Sequence, residues 1–183
     1  MEPKTKWLLS KNKSCSCTMS GVWRAVACCQ GCAVIFHSPM GCVHVAETMD
    51  LGSHYRILAD GRHENIERVP LVSSNIREKD SIFGGTGRLR QSISYVMETY
   101  RPECLFIATS CVAGVIGDDA ESESAEAEMK YGIPVICIPY AGFLGGEYSD
   151  GYYKTAETII DRFFKPCEHV PNRILLLGDQ MGP

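Results

Sequence analysis

Ala33-Val-Ile-Phe-His-Ser-Pro-Met-Gly-Cys42 passes from an apolar run through a tight turn to the start of a helix. Ala33–His37 is short and apolar and is followed by turn residues, the pattern of a buried strand. Ser38-Pro39-Met40-Gly41 supplies the turn, and a helix is expected from near Cys42 to about Leu51. The same order recurs further along. Cys104–Thr109 predicts a strand running into Ser110-Cys111, and Pro134–Ile138 predicts another before the glycine-rich loop Gly142–Ser149.

Helices fill the intervals. Leu89, Ile93, Val96 and Met97 share one face of a helix over Arg88–Tyr100, which Arg101-Pro102 ends. Further helices are expected from Thr18, with Thr18 or Ser20 near the cap, to about Gln30, over Asp119–Tyr131 with Gly132 as C-cap, and over Gly151–Phe164. Tyr55–Val72 suggests two short strands around Asp60-Gly61, and Arg173–Leu177 a last apolar strand. Strand, turn and helix in repetition predict a three-layer α/β domain of Rossmann-like type, its largely parallel sheet covered by helices on both faces. In such sheets ligands gather beyond the carboxyl ends of the strands, where Cys42, Cys111 and Gly142–Ser149 all fall. The expected organisation is an N-terminal arm over 1–17, the α/β domain over 18–166, and a linker with the truncated opening of a further α/β unit over 167–183.

Hydrophobic residues are 45% and charged residues 22% of the 183, a balance able to bury a core. A net charge of -4 with no Arg/Lys block gives no grip on nucleic acid. No 18-residue apolar run offers a membrane span, and Met1–Lys13 lacks the apolar centre of a secretory signal. Ten cysteines could form a disulfide framework, but a chain of this size folds without staples. The expectation is a reducing, anaerobic cytoplasm.

Three cysteines stand at element ends: Cys17 before a helix, Cys42 and Cys111 after strands. Soft ligands converging from separated segments suit an iron–sulfur cluster, and neighbouring tight backbone gives a cluster room and amide donors. Three is one short of the usual four, a gap that a partner subunit would fill. Buried inert thiols, zinc, or thiol redox chemistry remain open, as does Cys15 in place of Cys17. Cys29-Gln-Gly-Cys32 lies at a helix end, where no amide dipole lowers a thiol pKa, and reads as structural beside Cys28. Cys104 and Cys137 read as core, and Cys167 carries no signal. Gly84-Gly85-Thr86-Gly87 lacks the Lys-Ser/Thr of a phosphate loop and reads as helix packing. His37 and His44 suit support or local hydrogen bonding near Cys42, and Asp118-Asp119 a helix cap, with a catalytic carboxylate pair as the minor reading.

Taken together, His37-Ser-Pro-Met-Gly-Cys42, Phe83-Gly-Gly-Thr-Gly-Arg-Leu89, Thr109-Ser-Cys-Val-Ala-Gly-Val-Ile-Gly-Asp-Asp119 and Gly142-Phe-Leu-Gly145 resemble the nitrogenase component 1 family, in order, over about residues 15–165. The resemblance implies the N-terminal domain of such a protein. It implies a [4Fe-4S] or P-cluster-like centre at a subunit interface, with Cys17, Cys42 and Cys111 as one subunit's ligands and the fourth from a sister subunit or homodimer mate. In an isolated domain the cluster is expected to be easily lost. It also implies an ATP-dependent iron–sulfur reductase that supplies electrons. Tyr148 and Tyr152 stand where molybdenum nitrogenase carries a glutamine and a histidine near its cofactor, and Asp50 where it carries an arginine. The later domains that hold that cofactor's metal have no counterpart in these residues. The expectation is therefore an electron-relaying subunit acting on a substrate other than dinitrogen, with a cofactor-assembly scaffold, or a plain α/β domain with buried thiols, as alternatives.

Overall fold

β1 (Cys32–His37) is buried from its second residue to its last, as its apolar run predicts. In the computed structural model, which describes residues 17–27, 29–48, 69–138 and 142–165, it is an inner strand of a four-stranded parallel sheet. α1 (Thr18–Val26) precedes it and a helix over 40–48, α2, follows. Next come β2 (Leu71–Ser73), a short α3 (Asp80–Phe83) and α4 (Thr86–Thr99). β3 (Cys104–Thr109), α5 (Cys111–Ile116), α6 (Ala120–Tyr131) and β4 (Val135–Ile138) follow. A 3-10 turn at Gly142–Leu144 leads into α7 (Tyr148–Phe163).

The sheet order is β2-β1-β3-β4. β1 and β3 pair in register from Cys32 opposite Cys104 to His37 opposite Thr109. Side chains alternate between two faces. Val34, Phe36, Phe106 and Ala108 pack with Met19, Val22, Trp23 and Val26 of α1 and Val43 and Ala46 of α2. Ala33, Ile35, Leu105 and Ile107 pack on the opposite side with Leu89, Ile93 and Val96 of α4 and Ala120 and Ala127 of α6. Continuous apolar runs in β1 and β3 are thus what a doubly covered parallel sheet requires. Arg90 grips the buried Glu123 through two hydrogen bonds, of 2.6 and 2.5 Å, and ties α4 to α6. Glu128 accepts from Val135 N–H at 2.9 Å and from Arg162 at 2.5 Å, joining α6, β4 and α7.

Several boundaries differ from the sequence expectation. α1 stops at Val26 rather than Gln30, because the chain must reverse through Gly31, at φ 77°, to enter β1. α7 starts at Tyr148 rather than Gly151, since Glu147 and Asp150 form a capping box. α5 has no counterpart in the sequence expectation: Ser110 caps it by accepting from Ala113 N–H, and Gly117 ends it in the left-handed region. α2 begins two residues before Cys42. Of the two short strands suggested over Tyr55–Val72, residues 55–68 lie outside the described residues and Leu71-Val72 open β2; the strand over Arg173–Leu177 and the two flanking segments of the expected organisation, apart from Cys17, also lie outside them.

α1 crosses α7 through glycines. A Cβ on Gly21 would overlap the Tyr148 carbonyl oxygen and lie 2.6 Å from Tyr152 N, and one on Gly151 would overlap the Thr18 carbonyl oxygen. Gly87, inside α4, faces open space instead. Gly21→Ala should therefore lower unfolding free energy by about 3 kcal/mol, because backbone cannot give way. Gly87→Ala should raise it by about 0.5–1 kcal/mol through helix propensity alone. Urea denaturation of both variants checks the opposite signs.

Candidate functional site

The carboxyl ends of β1 and β3 deliver the two best-placed cysteines. After His37 the chain turns through Ser38 and Pro39 into α2, which carries Cys42 in its first turn, with Cys42 N–H donating to the Pro39 carbonyl at 3.2 Å. After Thr109 the capping Ser110 places Cys111 as the first residue of α5. Cys17 arrives from a different direction. It caps α1 with an extended backbone and pairs as an antiparallel bridge with Glu147. Thr18 Oγ1 then donates to the buried Gly142 carbonyl at 2.9 Å. Gly142, at φ 52°, sits so close to Cys111 that an added Cβ would lie 2.8 Å from Cys111 N. Glycine is required there both for its conformation and for its size.

These constraints bring Cys17 and Cys111 within electrostatic reach of Cys42. Burial pushes the Cys42 thiol pKa up, and the neighbouring Cys17 and Cys111 push it the same way, while a hydrogen bond with Ser38 opposes them. All three are half-buried and reduced. Among the described residues, no group of three or more His, Cys, Asp and Glu closes around a single metal ion. A tetrahedral zinc site would hold its sulfurs about 4 Å apart. A cluster is wider, since each thiolate meets a different iron, and soft thiolates brought from separated segments are the donor type it takes. Cys15 lies outside the described residues.

Behind the thiol edge lies a buried polar chain. Ser74 Oγ accepts from Ser38 N–H at 3.0 Å and lies 2.8 Å from His37 Nδ1. Asp118 Oδ2 lies 3.0 Å from His37 Nε2. A hydroxyl proton directed at Nδ1 leaves Nε2–H to donate to the carboxylate, the tautomer that satisfies every member. Asp118 also accepts from Gly85 N–H at 2.8 and 3.0 Å and from Thr86 Oγ1 at 3.3 Å. His37 is therefore the support its sequence position suggested, whereas His44 is exposed on α2. The cap reading of Asp118-Asp119 needs correction. Asp119 alone caps α6, accepting from Ser122 N–H, and Asp118 turns inward to His37 and Gly85.

This also accounts for Gly84-Gly85-Thr86-Gly87. Gly85 caps α4, and a Cβ on it would meet Asp118 Oδ2 at 2.5 Å. The carboxylate occupies the place beside the helix amides that a phosphate would take. The signal for Asp118 was present in the sequence as a second acid ahead of the cap, one more than a cap needs.

The edge is rimmed by apolar side chains. α3 and the 3-10 turn both adjoin α5, and Phe83, Val115, Phe143 and Leu144 on these elements are 65–86% exposed. Met40, beside Cys42, is exposed as well. Isolated exposed apolar residues are ordinary, but several on adjoining elements around one site mark a surface suited to a partner. Tyr148 and Tyr152 stack at 6.5 Å between ring centroids on the first turns of α7. No helix among the described residues is long and apolar enough to cross a membrane.

His37 yields a pH prediction. Burial holds its pKa below the ordinary imidazole value, outweighing the opposing pull of Asp118 and Glu123. In the folded state the ring resists protonation while the unfolded chain accepts a proton below about pH 6.5, so this stabilisation is present above that pH and lost as pH falls. The unfolding free energy should rise between about pH 5 and 7, and His37→Gln should flatten that slope in denaturant titrations. Asp118→Ala, which strands Gly85 N–H and the imidazole N–H, should cost about 3 kcal/mol at pH 7.5.

Comparison with known proteins identifies relatives of the chain. The model of the nitrogenase component 1 type oxidoreductase family matches residues 17–183. The nitrogenase iron-molybdenum cofactor biosynthesis protein NifE of Clostridium pasteurianum is 36% identical over 126 residues, 69% of this chain and 26% of that protein. The nitrogenase molybdenum-iron protein alpha chain of Methanosarcina barkeri is 34% identical over 90 residues, 49% of this chain and 17% of that one. A solved structure titled nitrogenase Cp1 at pH 6.5 shares the fold, with a TM-score of 0.64 at 23% identity, covering 82% of this chain and 29% of its own. The chain thus spans about a sixth to a quarter of the length of these curated relatives. It belongs to the nitrogenase component 1 type oxidoreductase family.

Proposed function

We propose that this chain is the cluster-bearing domain of a scaffold on which a nitrogenase-type metallocofactor is assembled. The observation that carries the reading is the likeness to NifE, which extends over more of the chain, at higher identity, than the likeness to the molybdenum-iron alpha chain. Cys17, Cys42 and Cys111 would hold an iron–sulfur cluster, [4Fe-4S] or P-cluster-like, and a sister subunit or a second copy would supply the fourth ligand and cover the apolar rim. Such a centre supplies one-electron chemistry when bound. The chain's own contribution is to keep three soft donors half-buried on one edge, with Gly142 set against Cys111 and Thr18 anchoring the Cys17 end. Tyr148 and Tyr152 support assembly over dinitrogen reduction, since phenols stand where the resemblance places a glutamine and a histidine.

A second reading, favoured by the likeness to the alpha chain, is an electron-relaying subunit fed by an ATP-dependent iron–sulfur reductase and acting on another substrate. In both readings the protein works in a reducing cytoplasm. Anaerobic co-purification from the native host, with iron analysis and EPR, tests the shared part. A brown complex with about four irons per shared cluster is expected, with both iron and signal lost in Cys42→Ala and Cys111→Ala. Colourless protein that takes up no iron on anaerobic reconstitution would overturn it. Delivery of cofactor to a cofactor-free nitrogenase, without substrate reduction, separates the scaffold from the relay.

A further inference from the structure

At the end of the sheet away from Cys42 and Cys111, three more cysteines meet. Cys32 opens β1 and Cys104 opens β3, and the two are direct partners in the parallel ladder. Their side chains share the face that also carries Val34, Phe36, Phe106 and Ala108, and Cys29 packs against that same cluster. Cys29 is brought there by the reversal between α1 and β1, in which Cys29 N–H donates to the Val26 carbonyl at 2.8 Å and Cys32 N–H to the Cys29 carbonyl at 3.2 Å. Cys29 Sγ donates to the Ala25 carbonyl at 3.6 Å, and Cys32 stands between Cys29 in the turn and Cys104 across the ladder, the three forming a row. Cys29 and Cys32 are half-buried and Cys104 is buried, so solvent reaches the row from the Cys29 and Cys32 side.

We infer that Cys32 and Cys104 form a reversible dithiol–disulfide site, oxidised by small-molecule disulfides. The geometry supports it on two counts. Neighbouring strands lie about 4.8 Å apart, and paired residues on one face then fall inside the Cα separation of about 4.4–6.8 Å that a disulfide accepts. The bond would form without disturbing the register, because the register already places the two residues opposite one another.

The exchange balances as follows. Cys32, the accessible member, gives up its thiol proton and attacks a small disulfide, forming a mixed disulfide and releasing one small thiolate. Cys104 then gives up its proton and attacks the Cys32 sulfur, closing the bond and releasing the second small thiolate. The two protons leave with the two small thiols, and the protein has lost two electrons. Cys104 suits the second step. It is buried, so a small disulfide does not reach it first, and the ladder sets it directly beside the Cys32 sulfur that it must attack. Cys32, whose pKa is pushed up to about 11 chiefly by the neighbouring Cys104 thiol, makes the first step slow at neutral pH.

The test is to treat the reduced full chain anaerobically with oxidised glutathione at pH 8. Peptide mapping under non-reducing conditions follows, with fragment ions locating each bond. The expected result is a Cys32–Cys104 linkage that is reversed by dithiothreitol, absent in Cys32→Ser and Cys104→Ser, and retained in Cys29→Ser. The wild-type thermal midpoint should rise on oxidation and return on reduction, a readout that does not depend on the variants folding. No linkage at Cys32, a linkage confined to Cys29 and Cys32, or an unchanged midpoint alongside a mapped bond elsewhere would overturn the proposal.

Discussion

The register of β1 against β3 sets both ends of the molecule. Six paired residues run from Cys32 opposite Cys104 to His37 opposite Thr109. Because side chains alternate along a strand, a slip of one residue would turn every apolar side chain of β1 to the wrong face. Val34 and Phe36 would lose their contacts with α1, and Ala33 and Ile35 theirs with α4. The same register holds the turn that leads to Cys42 beside the turn that leads to Cys111. The ladder therefore positions the thiol edge as firmly as it positions the core, and His37, bonded to Ser74 and Asp118, locks the junction between them.

Cys17 depends on a different device. No strand delivers it. It is held by α1, and α1 is held by its glycine crossing with α7. Close backbone approach leaves little freedom at such a crossing, so the cap of α1 inherits the position of α7. Glu147 serves both, bridging Cys17 through the backbone and capping α7 through its side chain. The edge is thus assembled from two rigid units that meet at Gly142.

Much of this was legible in the residues. The apolar runs of β1, β3 and β4 and the amphipathic face of α4 gave the layers, since burial on both faces demands unbroken apolar strands. Cys42 and Cys111 were legible because turns follow those strands. What escaped was what depends on contacts between distant segments. α5 is six residues long, too short for a periodicity to emerge, and only its Ser110 cap and Gly117 stop define it. Asp118 looked like part of a cap because its real partners, His37 and Gly85, lie 81 and 33 residues away. Cys29-Gln-Gly-Cys32 reads as a structural pair and Cys104 as an unrelated core thiol, because only the strand register brings Cys104 beside Cys32.

The hydrogen bond from Thr18 to Gly142 spans 124 residues of chain. Its consequence lies in the order of folding. Ends that far apart in sequence meet late, since a long loop must close before the contact returns any free energy. Cys17 is made well before Gly142, yet its place exists only after Gly142 has been made and α7 has docked. The edge that gathers Cys17, Cys42 and Cys111 is therefore a late product of folding, closed by a segment near the far end of the described chain. Until then its thiols are held only by the two strand turns.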